Sequence, residues 1–109
     1  MTPLDAIQLL DLRVGPITRA EVNPGTRKPA YKLWVDFGPL GVKQSSAQLT
    51  SLYRSDELVG RQVIAAVNLG TRSIAGFQSE VLVLGLPDAE GRVVLLSVER
   101  TVPLGGRVY

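Results

Sequence analysis

Residues 31–37, YKLWVDF, alternate along the chain with a period of two. Tyr31, Leu33, Val35 and Phe37 fall on one face and Lys32, Trp34 and Asp36 on the other, the pattern of a strand with one side in a core. The wholly apolar set is expected inside. Trp34, the only tryptophan in the chain, is thereby assigned to the outside, with a cation on one side of it and an anion on the other. An indole in that position is open to three uses: a stacking platform, a subunit contact or a partly covered surface ring.

Other segments punctuate the chain into short elements. TPLDAIQLL (2–10) predicts a helix, with Thr2 as N-cap, Pro3 in the first helical position and Asp5 as the acid of a capping box. Its Leu4, Ile7 and Leu10 share a side and call for a covering surface. LRVGPITRAEV (12–22) predicts a long strand bent or bulged at Gly15-Pro16, since proline cannot donate to a ladder. The loop NPGTRKPA (23–30) leads into the Trp34 strand, and GVKQSSAQLTSLY (41–53) into a third strand with an unusually polar middle. RSDELVG (54–60) predicts one helical turn, capped by Ser55 and stopped at Gly60. RQVIAAVNLG (61–70) and SEVLVLGL (79–86) predict two more strands, followed by short extended pieces at 91–98 and 105–109.

Three strands, a short helical turn and two further strands favour a five-stranded OB-type barrel over an immunoglobulin-like sandwich. The expected architecture is all-β and a single domain, 1–109, with residues 1–11 forming a helix that packs on the barrel or on a dimer interface. The strands VIAAV and VLVLGL are apolar on both faces, whereas a lone small barrel buries only the inner one. The outward Ile64, Ala66 and alternate residues of 81–84 therefore need a cover. The helix, the C-terminal segment and a second copy of the chain are expected to share that role, which predicts a homodimer.

Composition narrows the chemistry. At 45% hydrophobic and 20% charged residues, the chain of 109 is globular in character. It has no cysteine and no histidine, which excludes disulfides, thiolate or imidazole metal sites, and Ser–His or Cys–His nucleophiles within one chain. No apolar run approaches the roughly 20 residues of a membrane span. A soluble cytoplasmic protein without membrane insertion is expected. Carboxylates do not pair at a general acid–base spacing, and Asp11 and Arg13 read as a local ion pair on one strand face. No phosphate-cradling or dinucleotide motif is present. A binding protein with no catalytic residue, no cofactor and no metal is expected. Charge is segregated: Arg27, Lys28, Lys32, Lys43 and Arg54 face only Asp36 between positions 27 and 54, while the remainder is slightly acidic. That distribution predicts a modest positive patch.

DLRVG (11–15), KPAYKLWVDFG (28–38), GVKQSSAQLT (41–50) and IAGFQSEVLVLG (74–85) resemble the tRNA-binding domain family. Within it the chain is similar to the CsaA-type chaperones associated with protein export, including the C-terminal VVLLSVERTVPLGGRVY (93–109). The resemblance implies a homodimeric OB-fold and two activities: binding unfolded or preprotein polypeptide, and binding the outside corner of tRNA.

RNA would be met by cations, hydroxyls and amides at Lys28, Lys32, Lys43, Ser45, Ser46, Asn68, Arg72 and Ser79. A polypeptide would be met by Trp34, Phe77 and the aliphatic parts of Lys32 and Lys43. Val81-Leu82 stand where tRNA-binding members carry Gly-Met. Gly70-Thr71-Arg72-Ser73 replaces a loop with two prolines and consecutive arginines, and Gln78 stands where lysine is common. The first departure suits a packed strand better than a base-contacting one and the other two thin the positive charge, so a polypeptide-binding chaperone ranks first and tRNA binding second.

Overall fold

The computed structural model describes residues 1–109. Helix α1 (Pro3–Leu9) begins where the sequence predicts: Thr2 Oγ1 accepts from Asp5 N, and the Asp5 carboxylate accepts from Thr2 N. Strand β1 (Leu12–Val22) is followed by β2 (Tyr31–Asp36), a 3₁₀ turn (Gly38–Leu40), β3 (Val42–Ala47) and the single-turn helix α2 (Ser55–Leu58). The cap of α2 is Arg54 rather than the expected Ser55. The Glu57 carboxylate accepts from Arg54 N, an arrangement that leaves Ser55 inside the first turn. Strands β4 (Gln62–Ala66), β5 (Arg72–Ile74), β6 (Phe77–Ser79), β7 (Leu82–Val83), β8 (Gly85–Pro87) and β9 (Val93–Leu95) complete the chain.

Five strands form one sheet in the order β3-β2-β1-β4-β7, every neighbouring pair antiparallel. Strand β1 belongs to both sides: its first half pairs with β4 and its second with β2. The changeover lies at Gly15-Pro16, as predicted, and a side chain at Gly15 would collide with the Asp36 carbonyl. The extra residue is instead Thr18, skipped between Ile17↔Val35 and Arg19↔Trp34. The bend and the bulge are thus separate, because proline at a changeover sacrifices no ladder bond that either partner strand needs.

The sheet curls into a nearly closed barrel. Its last gap, between β3 and residues 79–81, is bridged partly by side chains. Ser79 Oγ accepts from Ser46 N and the Glu80 carboxylate from Gln44 N (both 3.0 Å), while the amides of Glu80 and Val81 donate to Gln44 O. Inside lie Ile17, Tyr31, Leu33, Val35, Phe37, Leu49, Leu58, Val63, Ala65 and Val81. The inward set predicted for β2 is therefore correct. Tyr31 donates its hydroxyl to Tyr53 O at 2.8 Å, and the Tyr53 hydroxyl accepts from Leu95 N, tying β9 to the barrel.

The predicted fifth strand is two elements. Residues 82–83 stay in the barrel sheet, and 85–87 turn away to pair with β9. The C-terminal segment pairs with the first half of β1 along the edge that β2 leaves free, and is tied to the start of β4. Gln62 exchanges two hydrogen bonds with the backbone of Val102, and Gly105 and Gly106 bond to the backbone of Val14. Ala66 is buried and Ile64 half-buried. Leu82, Leu86 and Val94 stay exposed, and so does every residue of α1. That helix is tied down by polar groups: Asn68 Nδ2 donates to Leu9 O and Arg107 Nη2 to Gln8 O.

Two stability measurements follow from this packing. Leu33→Ala, at a fully buried position, should cost about 2–5 kcal/mol; urea unfolding should show it as a lower midpoint with an unchanged slope. Ser79→Ala leaves the Ser46 amide without its acceptor and should cost about 1–3 kcal/mol. Hydrogen exchange at Ser46 should accelerate, and an unaltered rate would mean that Ser79 does not close the barrel.

Candidate functional site

The outer face of β1–β3 presents two rows of side chains: Arg19, Trp34 and Gln44, then Glu21, Lys32 and Ser46. A hairpin absent from the sequence reading lies against this face. Strands β5 and β6 are joined by Ala75-Gly76, both with positive φ (50° and 80°). This is the two-residue connection whose twist suits a hairpin. The hairpin sets the Phe77 ring edge-on to Trp34 with centroids 5.4 Å apart. Lys32 Nζ lies 5.5 Å from the Phe77 ring, and the Arg19 guanidinium lies 4.5 Å from the Trp34 ring. With the Gln44 amide turned to suit its neighbours, its oxygen accepts from Trp34 Nε1 at 3.1 Å and its nitrogen donates to Gln78 O at 3.0 Å.

Beside this aromatic cluster a cleft of about 850 Å³ opens between loop 23–30 and the hairpin turn. Gly25, Thr26, Arg27, Lys28 and Ala30 form one wall, Ile74 and Ala75 the other, and Ser46 and Gln48 line it from β3 and the residue beyond. The loop is held by Asn23: its side-chain oxygen accepts from Gly25 N, its carbonyl accepts from Thr26 Oγ1, and its amide donates to Ala30 O. On the other side of Ser46, a smaller hollow of about 130 Å³ is lined by Arg72 and Ser79 among others. Ser46 therefore joins both depressions.

The structure divides the ten residues marked in the sequence. Lys28, Lys32, Trp34, Ser46, Arg72, Phe77 and Ser79 come together on this side of the barrel. Three do not. Ser45 is 1% exposed and faces the barrel interior opposite Leu33. Lys43 is registered with Val35, on the opposite side of β3 from Gln44 and Ser46. The Asn68 side chain is spent on the N-terminal segment, accepting from Asp11 N and donating to Leu9 O. Within the assembled surface, Ser79 Oγ is already engaged in closing the barrel.

Four further residues belong to the surface. Arg27, Thr26 and Gln48 line the cleft, and Arg19 covers the indole. Arg27 had a signal, since it opens the basic stretch. Arg19 had none, because its neighbour across the sheet depends on the residue skipped at Thr18. Of the cations here, Arg19 is paired with Glu21, whereas Arg27, Lys28, Lys32 and Arg72 take part in no ion pair. Elsewhere Arg54, Arg92 and Arg100 lie beside acids, Arg13 and Arg107 share Asp11, and Lys43 and Arg61 take part in no ion pair. The carboxyls of Asp5, bonded by the Thr2 backbone, and Asp56, bonded by the Arg54 guanidinium, titrate below their usual range, but both lie outside the surface.

Known proteins place this arrangement. The solved structure of chaperone CsaA from Bacillus anthracis superimposes with a TM-score of 0.91 at 46% identity, covering 100% of this chain and 99% of that one. A CsaA chaperone protein from Picrophilus torridus gives 0.91 at 41% identity, with 100% of both chains covered. The methionine–tRNA ligase of Methanocaldococcus jannaschii is 35% identical over 102 residues. This chain spans 15% of that ligase's length. A family model for a tRNA binding domain matches residues 12–107. The match runs from the first barrel strand to the C-terminal tether that packs on it, and the chain belongs to the tRNA-binding domain family.

Proposed function

We propose that this protein binds RNA of the tRNA class, without catalysis, through the surface formed by the cleft, the hollow beside it and the aromatic cluster. The observation that carries the reading is the set of unneutralised cations, Arg27, Lys28, Lys32 and Arg72, gathered on one side of a barrel whose other arginines mostly carry acids. Free cations attract phosphates without first giving up a partner, and each phosphate neutralised releases condensed counterions. Ser46, Gln48 and Thr26 supply hydroxyl and amide groups for bases and 2′-hydroxyls. The order of preference thereby reverses relative to the sequence reading. Trp34 and Phe77 lie beneath Arg19 and Lys32, so cations border the aromatic cluster where a polypeptide site would call for apolar side chains. A cytoplasmic location accords with such a ligand.

A second reading, a CsaA-type chaperone that binds unfolded or preprotein polypeptide, is supported by the end-to-end correspondence with the two CsaA structures. Under either reading we propose a homodimer. Leu82 and Leu86 are 51% and 57% exposed in one chain, and α1 turns Leu4, Ile7 and Leu9 to solvent. A second copy would cover such apolar surface, and two sites related by a twofold axis gain avidity for a long ligand.

Fluorescently labelled tRNA titrated across a salt series tests the first reading. With three to four phosphates neutralised, affinity should fall about 40- to 150-fold between 50 and 200 mM salt. The pair Arg27→Ala and Lys28→Ala should flatten the logarithmic slope by about two. No binding at low salt, together with suppression of aggregation of an unfolded client, would favour the chaperone instead. For the assembly, sedimentation should find twice the 11.7 kDa of one chain, and Leu86→Glu should shift it toward the monomer. A stable single-chain species at micromolar concentration would remove the dimer.

A further inference from the structure

Trp34 is fixed on three sides. Its indole N–H is held by Gln44, the Phe77 ring meets it edge-on, and its backbone is paired on both flanks within the sheet. Arg19 lies over its ring. Arg19 is itself held only by Glu21, two residues along the same strand face, with Nε to Oε1 at 2.9 Å. The side chains of that pair are 61% and 43% exposed, so the contact is screened by water and costs little to break. A rigid indole is thus covered by a loosely held cation. The next row on the same face, about 7 Å away, carries Lys32 and Ser46, and Ser46 lines the cleft.

Resting on the RNA reading, we infer that Arg19 and Trp34 form a stacking subsite for one unpaired nucleobase. The base takes the indole face that Arg19 occupies in the free protein, and the guanidinium transfers from Glu21 to the phosphate beside that base. The exchange is chemically balanced in its contacts. Glu21 gives up an arginine and remains beside Lys32 in the sheet register, while Arg19 trades a carboxylate for a phosphate, whose oxygens suit its planar fork. The indole trades a cation for a base, a π-face that any of the four bases provides. The subsite therefore recognises an unstacked nucleotide irrespective of its identity, which suits a loop or a single-stranded end rather than a duplex.

The chain has one tryptophan, so its fluorescence reports this face alone. Anisotropy of fluorescein-labelled tRNA measures binding separately. The wild-type emission should be quenched in step with the anisotropy change. Trp34→Leu should weaken binding about 5- to 100-fold, the range of one base stack. Because that variant alters a packed residue, the exposed Arg19 provides an independent arm: Arg19→Ala should lower the logarithmic salt slope by about one while preserving the quench, and Arg19→Lys should restore the slope. Glu21→Gln, which frees Arg19 in advance, should tighten binding several-fold. If tRNA binds with its full salt dependence but the emission stays constant and Arg19→Ala leaves the slope unchanged, this subsite is overturned and the RNA reading survives. If tRNA fails to bind and an unfolded polypeptide quenches Trp34 instead, both are overturned.

Discussion

The barrel depends on how the outer edge of β3 is satisfied. Gln44 and Ser46 present backbone amides that have no strand directly alongside, and unpaired amides in a half-buried edge are costly. Ser79 Oγ and the Glu80 carboxylate take them, and the amides of residues 80 and 81 return bonds to the Gln44 carbonyl. This short mixed seam closes the cylinder without a regular ladder. It also decides where the β5–β6 hairpin lies, because Ser79 ends β6. The position of Phe77 against Trp34 and the depth of the cleft both follow from it. A serine and a glutamate adjacent in sequence, on opposite faces of an extended chain, are suited to reach two successive amides of one neighbouring strand.

Charge is distributed by the same logic. Most arginines outside the candidate surface sit within two to four residues of an acid on a strand face or turn, as in Arg13 with Asp11, Arg54 with Asp56 and Arg92 with Asp88. Such pairs contribute little stability where they are exposed. Their effect on the field is larger, because they offset much of the positive charge elsewhere on the barrel, where Lys43 and Arg61 stay unpaired, and leave the cations beside the cleft and the hollow uncompensated. A protein with a net charge of only +2 thereby acquires a directional positive surface. Arg19 is the exception on that surface, paired and stacked at once, and it is the residue whose partner a phosphate would replace.

Apolar surface is handled by two devices. Gln62, through paired bonds to Val102, straps the C-terminal segment across the start of β4, and the glycines that follow let the chain run close along β1. The strap does not cover Leu82, Leu86 or helix α1, whose apolar residues stay in solvent. Helix α1 is too short to persist on its own propensity, and its capping box and the two polar bonds at its C-terminal end hold it in place.

Period-two alternation determined the inner face of β2 down to the residue, and local chemistry determined the start of α1 and the bend of β1 at Gly15-Pro16. These features depend on neighbours within a few positions, which is why they were legible. The polar run of β3 was not. With hydrophilic side chains on both faces, alternation could not say which pointed inward, and only pairing of Leu33 with Ser45 and of Val35 with Lys43 decided it. The same pairing removed Ser45 and Lys43 from the candidate surface, and bonds to Leu9 and Asp11 removed Asn68. Arg19 became part of it through a residue skipped at Thr18, which shifts everything beyond by one position. Register, bulge and barrel closure join positions tens of residues apart. They are settled by the satisfaction of backbone hydrogen bonds in three dimensions, a condition to which local pattern is blind.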